Sequence, residues 1–133
     1  MILGIGTDIV NIQRIESILE GDTAKRFQEK YFHPTEIATA NKFASTKDKA
    51  CSLAKRFAAK EAFVKALGTG VRKGVKLNDI YVVNNELGCP FIHFSPTVTS
   101  LIEKKTSNKV KIDLSLSDEY PMAVAFVTLS IQN

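Results

Sequence analysis

Glu61 is a carboxylate at a position where a helix is expected to be apolar. When Lys47–Gly68 is wound as one helix at about 100° per residue, the apolar side chains fall on one stripe, and Glu61 falls inside it. The other members of the stripe are Ala50, Leu53, Ala54, Phe57, Val64 and Gly68. Because a buried, unpaired anion is costly, Glu61 is predicted to be protonated, paired with a cation or bound to a metal.

Lys65 lies one turn after Glu61 on the same side of the predicted helix, where its ammonium can flank whatever Glu61 binds. Gly68, Thr69 and Gly70 then end the helix with small residues that leave the backbone exposed. In an alternative interpretation, Glu61 and Lys65 form an ordinary ion pair at the edge of the stripe. Helix geometry alone leaves both interpretations open.

Asp8 is a second acidic residue in an apolar setting, because it stands in Ile2–Val10, the predicted first strand. It would cap the following helix in one interpretation, although Asn11 is also available as a cap. If Asp8 and Glu61 meet, two anions about 4 Å apart repel by about 4 kcal/mol at an effective dielectric of about 20. A divalent cation would reverse that cost, and magnesium accepts one or two carboxylates together with waters and phosphate oxygens. The pair therefore predicts a phosphate-bearing substrate.

The composition is that of an ordinary globular protein, with 133 residues, 44% of them hydrophobic and 24% charged. One domain over residues 1–133 is expected. The longest apolar runs, such as Ile2–Ile5 and Met122–Val127, are far shorter than the roughly 20 residues that span a bilayer, and no signal-peptide pattern is present. Cys51 and Cys89 lie outside any Cys-x-x-Cys spacing. These features predict a cytoplasmic protein with reduced cysteines and no membrane partner.

The formal net charge of +4 favours an acidic partner, but charge alone does not distinguish nucleic acid, a phosphorylated metabolite and an acidic protein. Most phenylalanines lie in apolar contexts typical of a core, so nucleic acid is not the expected partner. Two classes of protein fit these features. One is a magnesium-dependent nucleotide enzyme that uses the carboxylate pair, and the other is a non-catalytic basic module for RNA or an acidic protein. The module would use Lys25, Arg26, Lys30, Lys104 and Lys105.

The predicted elements give an α+β chain with strands at both ends and helices between them. After the first strand, the predicted helices are Asn11 to about Glu20, about Thr23–Tyr31, Pro34 through Lys42, Lys47–Gly68 and a helix capped by Ser95 that ends at Lys105. The later predicted strands are Asp79–Asn84, Pro90–Phe94, Lys109–Leu116 and Met122–Ile131. The first two of these form a hairpin, and the last two are joined across residues 117–121.

Two segments, residues 6–15 and 56–70, carry motifs. The first is Gly-Thr-Asp-Ile-Val-Asn-Ile-Gln-Arg-Ile, and the second combines Lys-Glu-Ala, a lysine four residues after the glutamate and a Gly-Thr-Gly exit. Together they resemble the holo-acyl-carrier-protein synthases of the 4'-phosphopantetheinyl transferase superfamily. Residues 85–90 and the final strand pair also fit, so the resemblance covers essentially the whole chain. It departs at Asp118, where many relatives have histidine, and at Pro121, so the contacts of that histidine are not carried over.

The resemblance implies a 4'-phosphopantetheinyl transferase-like α+β fold, with a small antiparallel sheet wrapped by helices. It also implies transfer of the 4'-phosphopantetheine arm of coenzyme A to a serine of apo-acyl carrier protein, leaving 3',5'-ADP. Asp8 and Glu61 are the implied magnesium ligands, and Lys65 is the third implied catalytic residue. The implied coenzyme-binding residues are Arg56, for the 3'-phosphate, Lys65, Gly68, Thr69 and Gly70. Either Glu61 or a metal-bound water would take the serine proton.

Acyl carrier proteins are strongly acidic, so the basic residues around the first helices, Arg14, Lys25 and Arg26, are expected to bind the carrier. Ordinary solvated charge is the alternative for Lys25. The resemblance also implies a homotrimer with active sites at subunit interfaces, which composition does not reveal. Such interfaces would let a small chain enclose a large cofactor.

Overall fold

The structure, a computed structural model, describes residues 1–68 and 75–132. The strands are β1 (Ile2–Asn11), β2 (Ile80–Asn84), β3 (Pro90–Phe94), β4 (Val110–Glu119) and β5 (Met122–Ile131). The α-helices are α1 (Ile12–Leu19), α2 (Ala24–Tyr31), α3 (Pro34–Ala40), α4 (Thr46–Leu67) and α5 (Pro96–Lys105), and a short 3-10 helix, Leu77–Asp79, precedes β2. The predicted α+β arrangement is confirmed. Within the two described ranges, no helix is long and apolar enough to cross a membrane.

The strands form two antiparallel sheets. β5 lies between β1 and β4, and β2 pairs with β3 as a separate hairpin. One face of the larger sheet packs on α4. Side chains along β5 therefore alternate between buried and exposed positions. The buried members are Ala123, Ala125, Val127 and Leu129. The other face exposes large apolar side chains, among them Ile5, Ile9, Val124 and Phe126.

Helix α4 is buried on most of its surface, so the predicted single apolar stripe is wrong. The larger sheet covers one side of the helix, and α1, α3 and β2 also pack against it. Its buried residues consequently include the polar side chains of Ser52, Arg56 and Lys60. Phe57 and Glu61, which the stripe placed inward, are only half-buried. Glu61 lies at the edge of two clefts, and not in the core as predicted.

The helix ends follow the sequence with one exception. Asn11 caps α1 by accepting the backbone N–H of Gln13 at 2.9 Å, and the Ser45 hydroxyl caps α4. Gly68 ends α4 with a φ of 76°, a left-handed conformation that favours glycine. Ser95 was predicted to cap α5 through its side chain, but in the described part of the chain its buried hydroxyl has no hydrogen-bond partner.

Two glycines let β1 lie directly on the backbone of α4. A Cβ atom at Gly6 would stand 1.8 Å from the carbonyl oxygen of Ala62, and one at Gly4 would stand 2.0 Å from that of Ala66. Any side chain at either position would therefore push the strand away from the helix. This close approach brings Asp8, two residues after Gly6, against the second half of α4.

The connection between β4 and β5 is shorter than predicted. β4 continues to Glu119, which pairs with Met122, so only Tyr120 and Pro121 form the turn. Asp118 accordingly lies in a strand, opposite Ala123, instead of in a loop.

Candidate active site

Lys65 joins α4 to β1 beside Asp8. Its ammonium donates to the Asp8 carboxylate at 3.2 Å and to the carbonyl oxygen of Thr7 at 2.9 Å. The lysine is thus hydrogen-bonded to the strand, and the alternative of an ordinary Glu61–Lys65 ion pair is not what the structure shows. Asp8 does not cap α1, because Asn11 fills that position.

Glu61 lies one turn before Lys65 on α4 and lines a cleft together with Asp8. Burial raises the pKa of the Glu61 carboxyl, the negative charge of Asp8 raises it further, and the positive charge of Lys65 opposes both. Asp8 is therefore close enough to disfavour the ionised form of Glu61. A cation bound between the two carboxylates would remove that penalty.

The cleft that Asp8 and Glu61 share, here called the Asp8 cleft, has a volume of about 260 Å³. Its lining also includes Arg14 and several apolar side chains. The apolar members include Ile15, Ile18, Phe27 and Phe57. The cleft thus combines two carboxylates with an apolar wall and a guanidinium, which suits a ligand that has a polar reacting end and an apolar surface.

A second cleft of about 590 Å³, here called the Lys30 cleft, adjoins the first at Phe57 and Glu61, which line both clefts. Lys30 and Lys76 give it two positive charges, and Tyr31 is part of its wall. This role of Phe57 was not predicted from the sequence, which favoured a core position for it. The four-residue spacing between Phe57 and Glu61 is the signal that could have revealed it, because that spacing puts both on one side of the helix.

Arg56 lines a third cleft of about 300 Å³, here called the Arg56 cleft, together with Lys55. Among the described residues, Arg56 lines neither the Asp8 cleft nor the Lys30 cleft. One guanidinium nitrogen, Nη1, donates to the carbonyl oxygen of Ser52 at 3.2 Å and to its hydroxyl at 2.9 Å. The Nε atom is buried and, within residues 1–68 and 75–132, has no hydrogen-bond partner. The structure thus keeps Arg56 apart from the carboxylate pair within one chain.

The predicted glycine loop is described only at its first residue. Gly68 follows the last turn of α4, which contains Lys65. Its backbone N–H is bonded to the carbonyl oxygens of Val64 and Lys65, so this N–H is already satisfied within the helix end. Thr69 and Gly70 lie outside the described residues.

The three predicted carrier-binding residues occupy different places. Arg14 lines the Asp8 cleft. Lys25 and Arg26 are exposed on α2, and within the described ranges neither lines the Asp8 cleft or the Lys30 cleft. The Lys25 ammonium stands 4.0 Å from the Glu29 carboxylate, and both side chains are mostly exposed. Arg14 is the member of this set that the structure brings close to Asp8 and Glu61.

Asp8 and Glu61 suit an ion that is held mainly by its ligand and by water. In the described ranges, no three side chains of His, Cys, Asp or Glu come together as a metal cage. Two carboxylates are hard oxygen donors, and magnesium needs only one or two of them beside waters and phosphate oxygens. The donor set therefore fits magnesium better than a metal that requires a complete protein cage.

Comparison with known families assigns the chain to a class of transferases. Residues 4–125 match the family described as the 4'-phosphopantetheinyl transferase superfamily. The holo-[acyl-carrier-protein] synthase of Neisseria meningitidis has the same fold, with a TM-score of 0.82, 35% sequence identity and coverage of 98% of this chain and 99% of that one. The class that the fold and the sequence define is therefore the phosphopantetheinyl transferases.

Other relatives narrow the class. The holo-[acyl-carrier-protein] synthase of Zymomonas mobilis is 47% identical over 131 residues, which are 97% of this chain and 96% of the relative. A holo-(acyl-carrier-protein) synthase from Bacillus anthracis, solved in complex with CoA (3',5'-ADP), has a TM-score of 0.79 and 34% identity, and the match covers 99% of each chain. The chain belongs to the holo-acyl-carrier-protein synthase family of the 4'-phosphopantetheinyl transferase superfamily.

Proposed function

We propose that the protein transfers the 4'-phosphopantetheine arm of coenzyme A to a serine of apo-acyl carrier protein, with magnesium, and releases 3',5'-ADP. The observation that carries this proposal is that Asp8 and Glu61 line one cleft, with the ammonium of Lys65 hydrogen-bonded to Asp8 at 3.2 Å. Two carboxylates and an ammonium match the needs of a diphosphate that must be both held and cleaved.

Asp8 and Glu61 are the residues that would hold magnesium, which when bound supplies positive charge to the diphosphate under attack. Lys65 is already fixed beside Asp8 by two hydrogen bonds, so its remaining N–H can point at a phosphate oxygen. Gly68, Thr69 and Gly70 follow in the chain, where they would leave room for the phosphates.

In this proposal Glu61 is the protein group that would accept the serine proton. It lines both the Asp8 cleft and the Lys30 cleft, so two substrates in those clefts would meet at its side chain. Without bound metal the pKa of Glu61 lies above the ordinary glutamate value, and a magnesium ion held by this carboxylate would lower it. Phe57, one turn away, would exclude water from the same point.

A homotrimer with active sites at subunit interfaces is the second part of the proposal. One face of the larger sheet exposes Ile5, Ile9, Val124 and Phe126, an apolar surface of the kind that subunits cover. In one chain, Arg56 lines a cleft of its own, distinct from those that Glu61 lines. A neighbouring subunit could bring its Arg56 to the 3'-phosphate of a coenzyme A bound beside Asp8 and Glu61.

The carrier protein would dock beside the Asp8 cleft, where Arg14 offers a positive charge next to an apolar wall. We assign the reaction to the cytoplasm, and the two free thiols, Cys51 and Cys89, support a reducing compartment.

Mass spectrometry tests the proposed reaction. The protein is incubated with coenzyme A, magnesium and apo-acyl carrier protein, and the carrier is expected to gain the mass of one phosphopantetheine. A Glu61→Gln variant and a sample with chelator in place of magnesium are the controls, and both should leave the carrier unmodified. An unmodified carrier with the wild-type protein and magnesium would overturn the proposal.

A further inference from the structure

Asp118 binds two side chains of α4 from the last part of β4. Its carboxylate oxygen Oδ1 stands 3.2 Å from the ammonium of Lys55, and Oδ2 accepts a hydrogen bond from the thiol of Cys51 at 3.3 Å. Both members of the ion pair are about one-third exposed, at 30% for Lys55 and 37% for Asp118. The carboxylate is thus shared between the ammonium and the thiol, one on each oxygen.

Lys55 also lines the Arg56 cleft. That cleft combines the two cations with an uncharged lining that includes Asn84 and Ser115. The buried Nε of Arg56, which lacks a partner among the described residues, is a donor that an anionic ligand could satisfy. An anion in this cleft would therefore compete with Asp118 for the ammonium of Lys55.

We propose that Asp118 is a specificity-determining residue, which weakens the binding of a phosphate monoester in the Arg56 cleft by holding the Lys55 ammonium. The inference rests on the proposed function, because it takes the ligand to be the nucleoside 3'-phosphate end of coenzyme A. Binding of that phosphate requires Lys55 to share its donors between two anions. Lys55 and Arg56 together would then determine how tightly the cleft binds the phosphate, and competition from Asp118 would lower that affinity.

The charge of Asp118 is present at neutral pH. The hydrogen bond from Cys51, followed by the hydrogen bond and the positive charge of Lys55, holds the pKa of this carboxyl below its ordinary value. The amide of an Asp118→Asn variant has nearly the same shape as the carboxylate, but it lacks the negative charge that attracts Lys55. The substitution should consequently release the ammonium for the ligand and leave the packing of β4 on α4 in place.

Calorimetric titration with two nucleotides tests the inference. Adenosine 3',5'-bisphosphate carries the phosphate that the Arg56 cleft would bind, and adenosine 5'-monophosphate lacks it. The Asp118→Asn variant should bind the bisphosphate about threefold to fivefold more tightly than the wild type, the size of a partly exposed ion pair. Its affinity for the monophosphate should stay unchanged.

Asp113→Asn is the matched control, because Asp113 lies on the same strand and pairs with Lys111 at 3.4 Å. Among the described residues it does not line the Arg56 cleft, so its loss should leave both affinities unchanged. A second test places Asp118→Asn in a Lys55→Gln background, where no ammonium remains to be released. The gain in affinity should nearly vanish there, since the through-space repulsion is screened at 0.15 M salt over about 8 Å.

Equal affinities of the wild type and Asp118→Asn for the bisphosphate would overturn this inference alone, and so would weaker binding by the variant. A gain of the same size in Asp113→Asn, or one that persists without Lys55, would overturn it as well. If the wild type binds neither nucleotide at millimolar concentration, this inference fails, whereas the proposed function fails only if the carrier protein also stays unmodified in the mass-spectrometric test. Near-ultraviolet circular dichroism of each variant verifies that the fold is intact.

Discussion

Lys60 and Glu36 form an ion pair in which neither side chain is exposed to solvent, with Nζ 2.5 Å from Oε1. The carboxylate also accepts the backbone N–H groups of His33 and Val82, each at 3.0 Å. The ammonium donates to the carbonyl oxygen of Tyr31 at 2.7 Å. This one pair therefore connects the end of α2, the start of α3 and β2 to the middle of α4. Because Tyr31 lines the Lys30 cleft, the pair also holds a wall of that cleft.

Removing the lysine alone should destabilise the protein strongly. In Lys60→Met, the Glu36 carboxylate stays buried without its cation, and such a loss typically costs about 3–5 kcal/mol of the free energy of unfolding. Urea unfolding followed by circular dichroism measures it. Lys25→Ala, which removes an exposed pair with Glu29, should cost less than about 1 kcal/mol. Adding Glu36→Gln to Lys60→Met should recover part of the loss, because the buried Glu36 charge is then removed as well. A Lys60→Met variant as stable as the wild type would contradict this account.

A methyl group at Gly6 should separate β1 from α4. The new Cβ would stand 1.8 Å from the carbonyl oxygen of Ala62, which is backbone and cannot turn aside. We expect Gly6→Ala to lower the free energy of unfolding by about 1–3 kcal/mol, as overpacking does, and to reduce turnover by displacing Asp8. Gly21→Ala is the control, because a Cβ there would meet its nearest atom at 3.5 Å. Equal stability and equal turnover of the two variants would show that the close approach is unimportant.

The local parts of the fold could be predicted from the sequence because short-range chemistry determines them. The cap at Asn11, the left-handed end at Gly68 and the bounds of β3 follow from residue type and spacing. Asp8 could be identified as a candidate site residue for a similar reason, since its strand is otherwise apolar. These predictions needed no knowledge of which elements touch.

The parts that failed depend on contacts between distant residues. The stripe on α4 was wrong because a helix covered by a sheet on one side and by helices on others has no polar face to define a stripe. Glu36 and Lys60 were missed because no periodicity reports a pair that is formed across the core. The position of Asp8 against α4 was predicted only from the family resemblance. Gly4 and Gly6 explain that position, but only the folded backbone shows that β1 lies directly on α4.

Glu61 should titrate above the ordinary glutamate value of 4.5 in the metal-free protein. Burial is the largest cause and the charge of Asp8 adds to it, so Asp8→Asn should lower the pKa of Glu61 toward the ordinary value. Nuclear magnetic resonance titration of the side-chain carboxyl carbon, without magnesium, measures both values. A pKa of Glu61 that is unaffected by Asp8→Asn would mean that the two carboxylates do not interact.

The same shift predicts how stability depends on pH. At pH values between 4.5, the ordinary pKa of glutamate, and the raised pKa of Glu61, the folded protein binds a proton that the unfolded chain has lost. The stability contributed by protonated Glu61 is therefore complete below pH 4.5 and is lost as the pH rises through the raised pKa. Glu61→Gln should therefore melt at a slightly higher temperature than the wild type at neutral pH without metal. Magnesium should raise the melting temperature of the wild type and leave that of Glu61→Gln unchanged. Magnesium stabilisation of the variant would remove Glu61 from the metal site. Near-normal turnover by Glu61→Gln would remove it from the reaction.

Arg14 should determine the affinity for the carrier protein and leave the affinity for coenzyme A unchanged. It lines the Asp8 cleft beside Ile15 and Ile18, where an acidic surface that docks there would meet its charge. Arg14→Glu should raise the KM for carrier protein about tenfold, equivalent to about 1.4 kcal/mol, because it replaces an attraction by a repulsion. Lys104→Glu makes the same charge change on α5, and within the described residues it is outside the Asp8 cleft, so it should leave this KM unchanged. Steady-state kinetics with each substrate varied in turn measures both values. A rise confined to the KM for coenzyme A would assign Arg14 to the coenzyme, and equal effects of the two variants would indicate that only net charge matters.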